Sequence, residues 1–231
     1  MRLVRLKRIS EKGEHHVQSS EKFSDANRLK IISEKILTEG LNFIGWGEDE
    51  KNFQNRVLSL KSWNANENWP DLSEEAIKNN IELFIEPFLN GIRKKSELQK
   101  LNKIEMLKNF IGWELSQKLE TLAPEKISVP SGSHIRLLYF ADGKTPELHV
   151  RLQEVFGMND TPTINNGKTK IVLHLLSPGY KPVQVTQDLK SFWNNAYFEV
   201  RKELQRRYPR HSWPENPLEA EAVRGAKKRK A

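Results

Sequence analysis

The sequence predicts an α+β fold: a helical N-terminal lobe, then a small mixed α/β lobe with a long C-terminal helix and a disordered basic tail. Two observations predict it. Apolar residues recur at steps of three and four through residues 25–123, then largely at steps of two after residue 124. A change of period from 3.6 to 2 separates helix from strand. Turn-forming clusters of Ser, Pro, Gly and Asn also punctuate the second half. The expected organisation is a short β-like segment at 1–24, a helical lobe at 25–123, an α+β lobe at 124–217 and a tail at 218–231.

The elements follow in order. Residues 1–24 suggest a hairpin around Lys12-Gly13. Asp25 is placed to cap a helix carrying Leu29, Ile32 and Ile36, which Gly40 stops. Phe53, Val57 and Leu60 mark a second helix. Trp69-Pro70-Asp71-Leu72-Ser73 breaks the chain and starts another, in which Glu74 and Glu75 complement the helix dipole. Its buried stripe is Ile77, Ile81, Phe84 and Phe88, and Gly91 interrupts it. A short helix near Leu98 and Leu101 precedes a longer one with Leu107, Phe110, Ile111, Leu115 and Leu119, ended by Pro124.

Residues 128–133 form a turn cluster, and residues 134–140 read as a strand ending in the Asp142-Gly143 turn. Pro146 and Glu147 suggest a helix with Leu148, Leu152, Val155 and Phe156, closed by Gly157. Asn165-Asn166-Gly167-Lys168 signals a hairpin before a strand over residues 170–175. A turn at Ser177-Pro178-Gly179 leads to a strand at residues 182–185. Asp188 then caps a helix carrying Leu189, Phe192, Trp193, Ala196, Val200 and Leu204, and Pro209, Pro214 and Pro217 end regular structure.

Charge is unevenly placed. The net charge is +8, yet residues 201–231 hold ten basic residues against four acidic, and residues 1–12 hold five against one. The body between is slightly acidic, so a polyanionic partner is expected at the ends. There is no cysteine, which excludes disulfides, thiolate catalysis and Cys-built zinc sites. No apolar run approaches the ~20 residues of a membrane helix, and no signal peptide is evident; a cytoplasmic location is expected. No phosphate-cradling GxxxxGK[ST] loop, GxGxxG turn, nucleophile elbow or metal-ligand spacing occurs, so no cofactor and no metal are expected.

The segment from Asp188 to Trp213 carries the strongest functional signal. On one continuous helix, Lys190, Asn194, Tyr197 and Arg201 share a face. Arg206-Arg207-Tyr208-Pro209-Arg210-His211-Ser212-Trp213 follows. Guanidinium forks pair with phosphates and aromatic rings stack on bases, so this pattern suits a single-stranded nucleic acid. The candidate nucleic-acid residues are Lys190, Arg201, Lys202, Arg206, Arg207, Tyr208, Arg210 and Trp213. The alternative is that Tyr208 and Trp213 fold back as hydrophobic anchors, in a structural or protein-interaction module. Basic residues 224–230 either neutralise phosphates or merely solubilise a tail. An unrecognised enzyme would need Arg136, His174, Gln184, Gln187 and Asp188 to converge as the strands pair.

The sequence also resembles a known family. Val129-Pro130-Ser131-Gly132-Ser133-His134-Ile135-Arg136-Leu137 is similar to a stretch in the C-terminal region of bacterial HrpB-type ATP-dependent helicases. So are residues 150–157, residues 173–178 and the run from Pro182 through Arg207-Tyr208-Pro209 to Pro217. The resemblance extends from about residue 25 onward. It implies a part of a DEAH-box-like machine whose two RecA-like lobes bind and hydrolyse ATP. This chain would be the C-terminal region without that core, as a shortened gene product or an excised part. No ATPase or unwinding activity of its own is expected. Its implied partners are the helicase core and a nucleic-acid strand.

Overall fold

The structure is a computed structural model that describes residues 25–226. The N-terminal hairpin and basic residues 227–230 therefore lie outside the described residues. The chain forms two compact units. The first contains residues 25–54 and 70–116, and the second residues 55–69 and 117–226. The second unit thus draws on stretches that the helical period assigns to the first lobe.

The first unit is helical. α1 (Asp25–Glu39) leads into a 3-10 turn, Leu41–Ile44, and then α2 (Glu48–Trp63), whose residues after Gln54 count with the second unit. Acidic Glu48, Asp49 and Glu50 occupy the first turn of α2, where the helix dipole favours them. α3 (Glu74–Asn79) begins as the sequence suggests, with Ser73 accepting from the Ala76 N–H at 3.2 Å. The expected single helix is broken at Asn80, and α4 (Ile81–Ile85) follows. Ile77, Ile81 and Phe84 are buried as the stripe requires, while Phe88 is only half-buried. α5 (Lys95–Leu98) precedes α6 (Lys103–Ile111) and α7 (Trp113–Leu122), whose residues from Gln117 on count with the second unit. The sequence reads α6 and α7 as one helix; Gly112, at φ 83°, separates them. Trp46 donates its indole N–H to Gln54 Oε1, and Gln54 donates to the Leu72 carbonyl, so these buried polar side chains are matched.

The second unit holds a five-stranded sheet in the order β1-β2-β3-β6-β7. The strands are β1 (Lys126–Ser128), β2 (His134–Leu138), β3 (Glu147–Arg151), β6 (Val172–Leu176) and β7 (Pro182–Thr186). Only β3 and β6 pair in parallel; the other ladders are antiparallel. The crossover between them contains a 3-10 turn (Leu152–Val155) and a small hairpin of β4 (Thr163–Ile164) and β5 (Thr169–Lys170). Asn165 and Asn166 adopt φ of 52° and 54°, as an Asn-Asn-Gly hairpin turn demands. Leu137, Leu148, Val150, Leu173 and Leu175 are buried on one sheet face.

β3 corrects the sequence reading, which made residues 147–156 a helix. The apolar residues at 148, 152, 155 and 156 do fit a helical step, but Val150 is the decisive one. In the sheet Leu148 and Val150 go to the core while His149 stays exposed. A central strand bonded on both sides outweighs the local helical spacing.

Two helices close the unit, α8 (Leu189–Asn194) and α9 (Tyr197–Arg207). The Asp188 carboxylate accepts from the Ser191 N–H at 2.8 Å and caps α8 as expected. The long C-terminal helix is broken at Asn195, whose ψ of −76° leaves the helical range. Phe156, Phe192, Trp193 and Tyr197 form one aromatic cluster, with Trp193 and Tyr197 edge-on at 5.3 Å. Residues 218–226 carry no helix or strand, but two hydrogen bonds tie part of this stretch to the second unit. The Val223 N–H donates to the Gln153 carbonyl, and Arg224 Nε donates to the Ser131 carbonyl.

Candidate functional site

The candidate segment splits into an anchored part and an open part. Tyr197 is fully buried, and its hydroxyl donates to the Pro214 carbonyl at 2.8 Å. It therefore leaves the helix face on which the sequence placed it beside Lys190. Burial pushes its phenol far above the usual tyrosine range. Trp213 is buried at 7% exposure and donates its indole N–H to the Tyr208 carbonyl. Its ring is a packing element and is not presented to solvent.

Arg201 belongs to the same anchor. Its Nε donates to the Trp213 carbonyl at 3.0 Å, and its Nη2 meets the exposed Glu215 carboxylate at 3.5 Å. Tyr208 is half-buried against Gly179, where a Cβ would stand 2.7 Å from its hydroxyl. The Arg207 guanidinium lies over the Tyr208 ring, 6.0 Å from its centre. His211 is half-buried; burial, with the Arg151 charge nearby, pushes its imidazole below the ordinary histidine value.

The open part is cationic. Lys190, Lys202, Arg206, Arg207 and Arg210 are all exposed. Lys202 pairs with Glu199 on the surface at 2.9 Å, an arrangement worth little in water. Among the described residues, Lys190, Arg206, Arg207 and Arg210 have no acidic partner. Lys202 and Arg206 stand one turn apart on α9, so they lie on the same side of the helix.

Two sequence segments elsewhere in the second unit are joined by Glu154. Its carboxylate is 4% exposed and accepts from Ser133 Oγ at 2.6 Å, Ser131 Oγ at 3.2 Å and Arg151 Nε at 3.1 Å. Burial alone would raise its pKa; the bonds from Arg151, Ser133 and Ser131 outweigh that and hold it below the ordinary glutamate value. Arg151 also stacks on the Tyr180 ring at 5.1 Å. Glu154 itself is buried, Ser131, Ser133 and Arg151 are half-buried, and Tyr180 is exposed.

Of the five residues offered for an enzyme site, two have evident structural roles. His174 faces Val185 across the β6–β7 ladder, and Asp188 is used as a cap. A different group gathers instead: Glu147, His149 and His174. Sequence spacing misses it because His149 and His174 become neighbours only through the β3–β6 ladder. The available signal is the alternation Glu147-Leu148-His149, legible once the segment is read as a strand.

The second unit is thus an α+β fold that carries an anchored C-terminal segment and an open row of cations. Residues 84–217 match the family described as ATP-dependent helicase C-terminal. The chain is 34% identical over 212 residues to the ATP-dependent RNA helicase HrpB of Escherichia coli (strain K12), covering 92% of this chain and 26% of that protein. It is similar to the crystal structure of the E. coli DExH-box NTPase HrpB, with a TM-score of 0.80 and 33% identity over 91% of this chain and 26% of that one. A second crystal structure, of the E. coli DEAH/RHA helicase HrpB, gives a TM-score of 0.70 at 33% identity, covering 85% of this chain and 25% of that one. The chain belongs to the HrpB-type helicase C-terminal family. It spans about a quarter of the length of the curated relative it matches. Among the described residues no helix is long and apolar enough to cross a membrane.

Proposed function

We propose that this chain contributes sequence-independent nucleic-acid contact to an HrpB-type helicase and leaves ATP hydrolysis to the RecA-like core. The observation that carries this reading is the set of exposed cations, Lys190, Arg206, Arg207 and Arg210, without acidic partners among the described residues. Such groups take phosphate oxygens without reading bases, which suits a motor that grips backbone. The E. coli relative is named an RNA helicase, so single-stranded RNA is the proposed strand. Cytoplasmic residence follows from the same reading. Labelled single-stranded RNA titrated at rising salt tests it. Binding should weaken steeply with salt, and its absence at low salt would end the proposal.

Trp213 and Arg201 favour a second, structural reading for part of the segment. Both are spent on internal bonds. On this reading the anchored part positions the region against the helicase body or another protein. The two readings divide the segment: Trp213 and Arg201 hold it in shape, and the exposed cations do the binding.

A further inference from the structure

We propose that Glu147, His149 and His174 form a binding site for a divalent transition-metal ion of the zinc class. The three side chains stand on the same sheet face, fixed by ladder register. His149 is the direct partner of His174 in the parallel β3–β6 pair, and Glu147 precedes His149 by one strand repeat. The His149 and His174 Nε2 atoms lie 2.9 and 3.2 Å from the same oxygen, Glu147 Oε2. Each residue offers one ligand atom, and these atoms all lie within 4.8 Å of one another.

Those separations suit a shared ion. Zinc bonds imidazole nitrogen and carboxylate oxygen at about 2.0–2.2 Å, which in a tetrahedron puts neighbouring ligand atoms roughly 3.3 Å apart. The two imidazoles are stacked, with centres 4.2 Å apart and planes 5° from parallel. Converging both lone pairs on one ion takes a tilt of the rings, a change in the broad χ2 torsion of histidine. In neutral imidazole the proton moves from Nε2 to Nδ1 as the ion binds, so each ring remains neutral. His149 is 41% exposed, which leaves an open side for a water as the fourth ligand.

The donor set selects the ion. Two imidazoles and one carboxylate suit zinc, cobalt or nickel, whereas magnesium prefers an all-oxygen shell. The β3–β6 ladder supplies rigidity: both histidines sit on interior strands of the five-stranded sheet, each paired on two sides. The neighbouring Leu138 and Val185 are exposed apolar residues that offer no competing ligand.

The test uses the full chain freed of metal by chelation and titrated with zinc in a calorimeter, and with cobalt by visible absorption. The expected result is saturable binding of one ion at this site with a cobalt d–d band, and no response to magnesium. The His149→Ala/His174→Ala double variant should lose both signals. Melting in chelator establishes that the variant is folded, which surface substitutions permit. His15→Ala/His16→Ala is the companion variant and should keep both signals. Absence of saturable zinc binding in the folded wild type overturns the proposal. So does a signal that survives in the double variant or disappears in the companion; the three residues are then a hydrogen-bonded surface cluster.

Discussion

Glu154 accepts a 2.6 Å hydrogen bond from Ser133 Oγ, across 21 residues of chain. This bond joins the turn at residues 129–133 to the 3-10 turn after β3. The two most distinctive short motifs of the sequence are thus two halves of one buried polar knot. Gln153, beside it, takes the Val223 N–H, and Arg224 reaches the Ser131 carbonyl.

Glu154→Gln should destabilise the protein by about 2 kcal/mol near neutral pH, because a charged acceptor serving three donors is replaced. Urea unfolding measures it. The effect depends on pH with a definite sign. The folded-state pKa of Glu154 is depressed, so its contribution is fully present above the unfolded-state pKa. It is lost as pH falls through the lower folded value. The stability gap between wild type and Glu154→Gln should therefore shrink as pH falls below the unfolded-state glutamate value. A gap that widens in acid would mean that the Glu154 carboxylate is not stabilised by these bonds.

Gly143→Ala should be more damaging than Gly167→Ala. Both glycines have positive φ, 72° and 81°, and share a left-handed strain of about 1–2 kcal/mol. At Gly143 the added Cβ would also stand 2.6 Å from Ser62 Cβ, whereas at Gly167 nothing lies within 4 Å. Thermal melting of the two variants should rank them in that order.

Trp213→Ala should lower stability by about 3 kcal/mol, since it empties a buried site and removes the indole bond to Tyr208. At temperatures where the variant is fully folded, its RNA affinity should change far less than that of a variant lacking the exposed arginines. Denaturation and RNA titration on the same preparation check both halves.

Much of the fold is legible wherever a local rule acts alone. Ser73 and Asp188 cap their helices, and the Asn165-Asn166-Gly167 turn makes its hairpin. β3 is not legible, because its apolar spacing fits a helix and only pairing on both sides makes it a strand. The break at Asn195 is hidden too, since the apolar step continues across it into α9. The site is half legible. Its cations are plain in the sequence. That Trp213 is buried and Arg201 internally bonded depends on the return of residues 213–215 onto α9, which no local pattern encodes. Glu147, His149 and His174 meet through a parallel ladder, which sequence separation conceals.

Whether the exposed cations grip RNA is decided by binding against salt for the wild type and a variant with Lys190, Arg206, Arg207 and Arg210 changed to Gln. Each lost phosphate contact should flatten the slope of log affinity against log salt by about 0.7 for single strands. The variant should bind more weakly with a clearly shallower slope, and its melting should be unchanged because all four residues are exposed. Equal affinity and equal slope in the variant would contradict RNA contact by these cations.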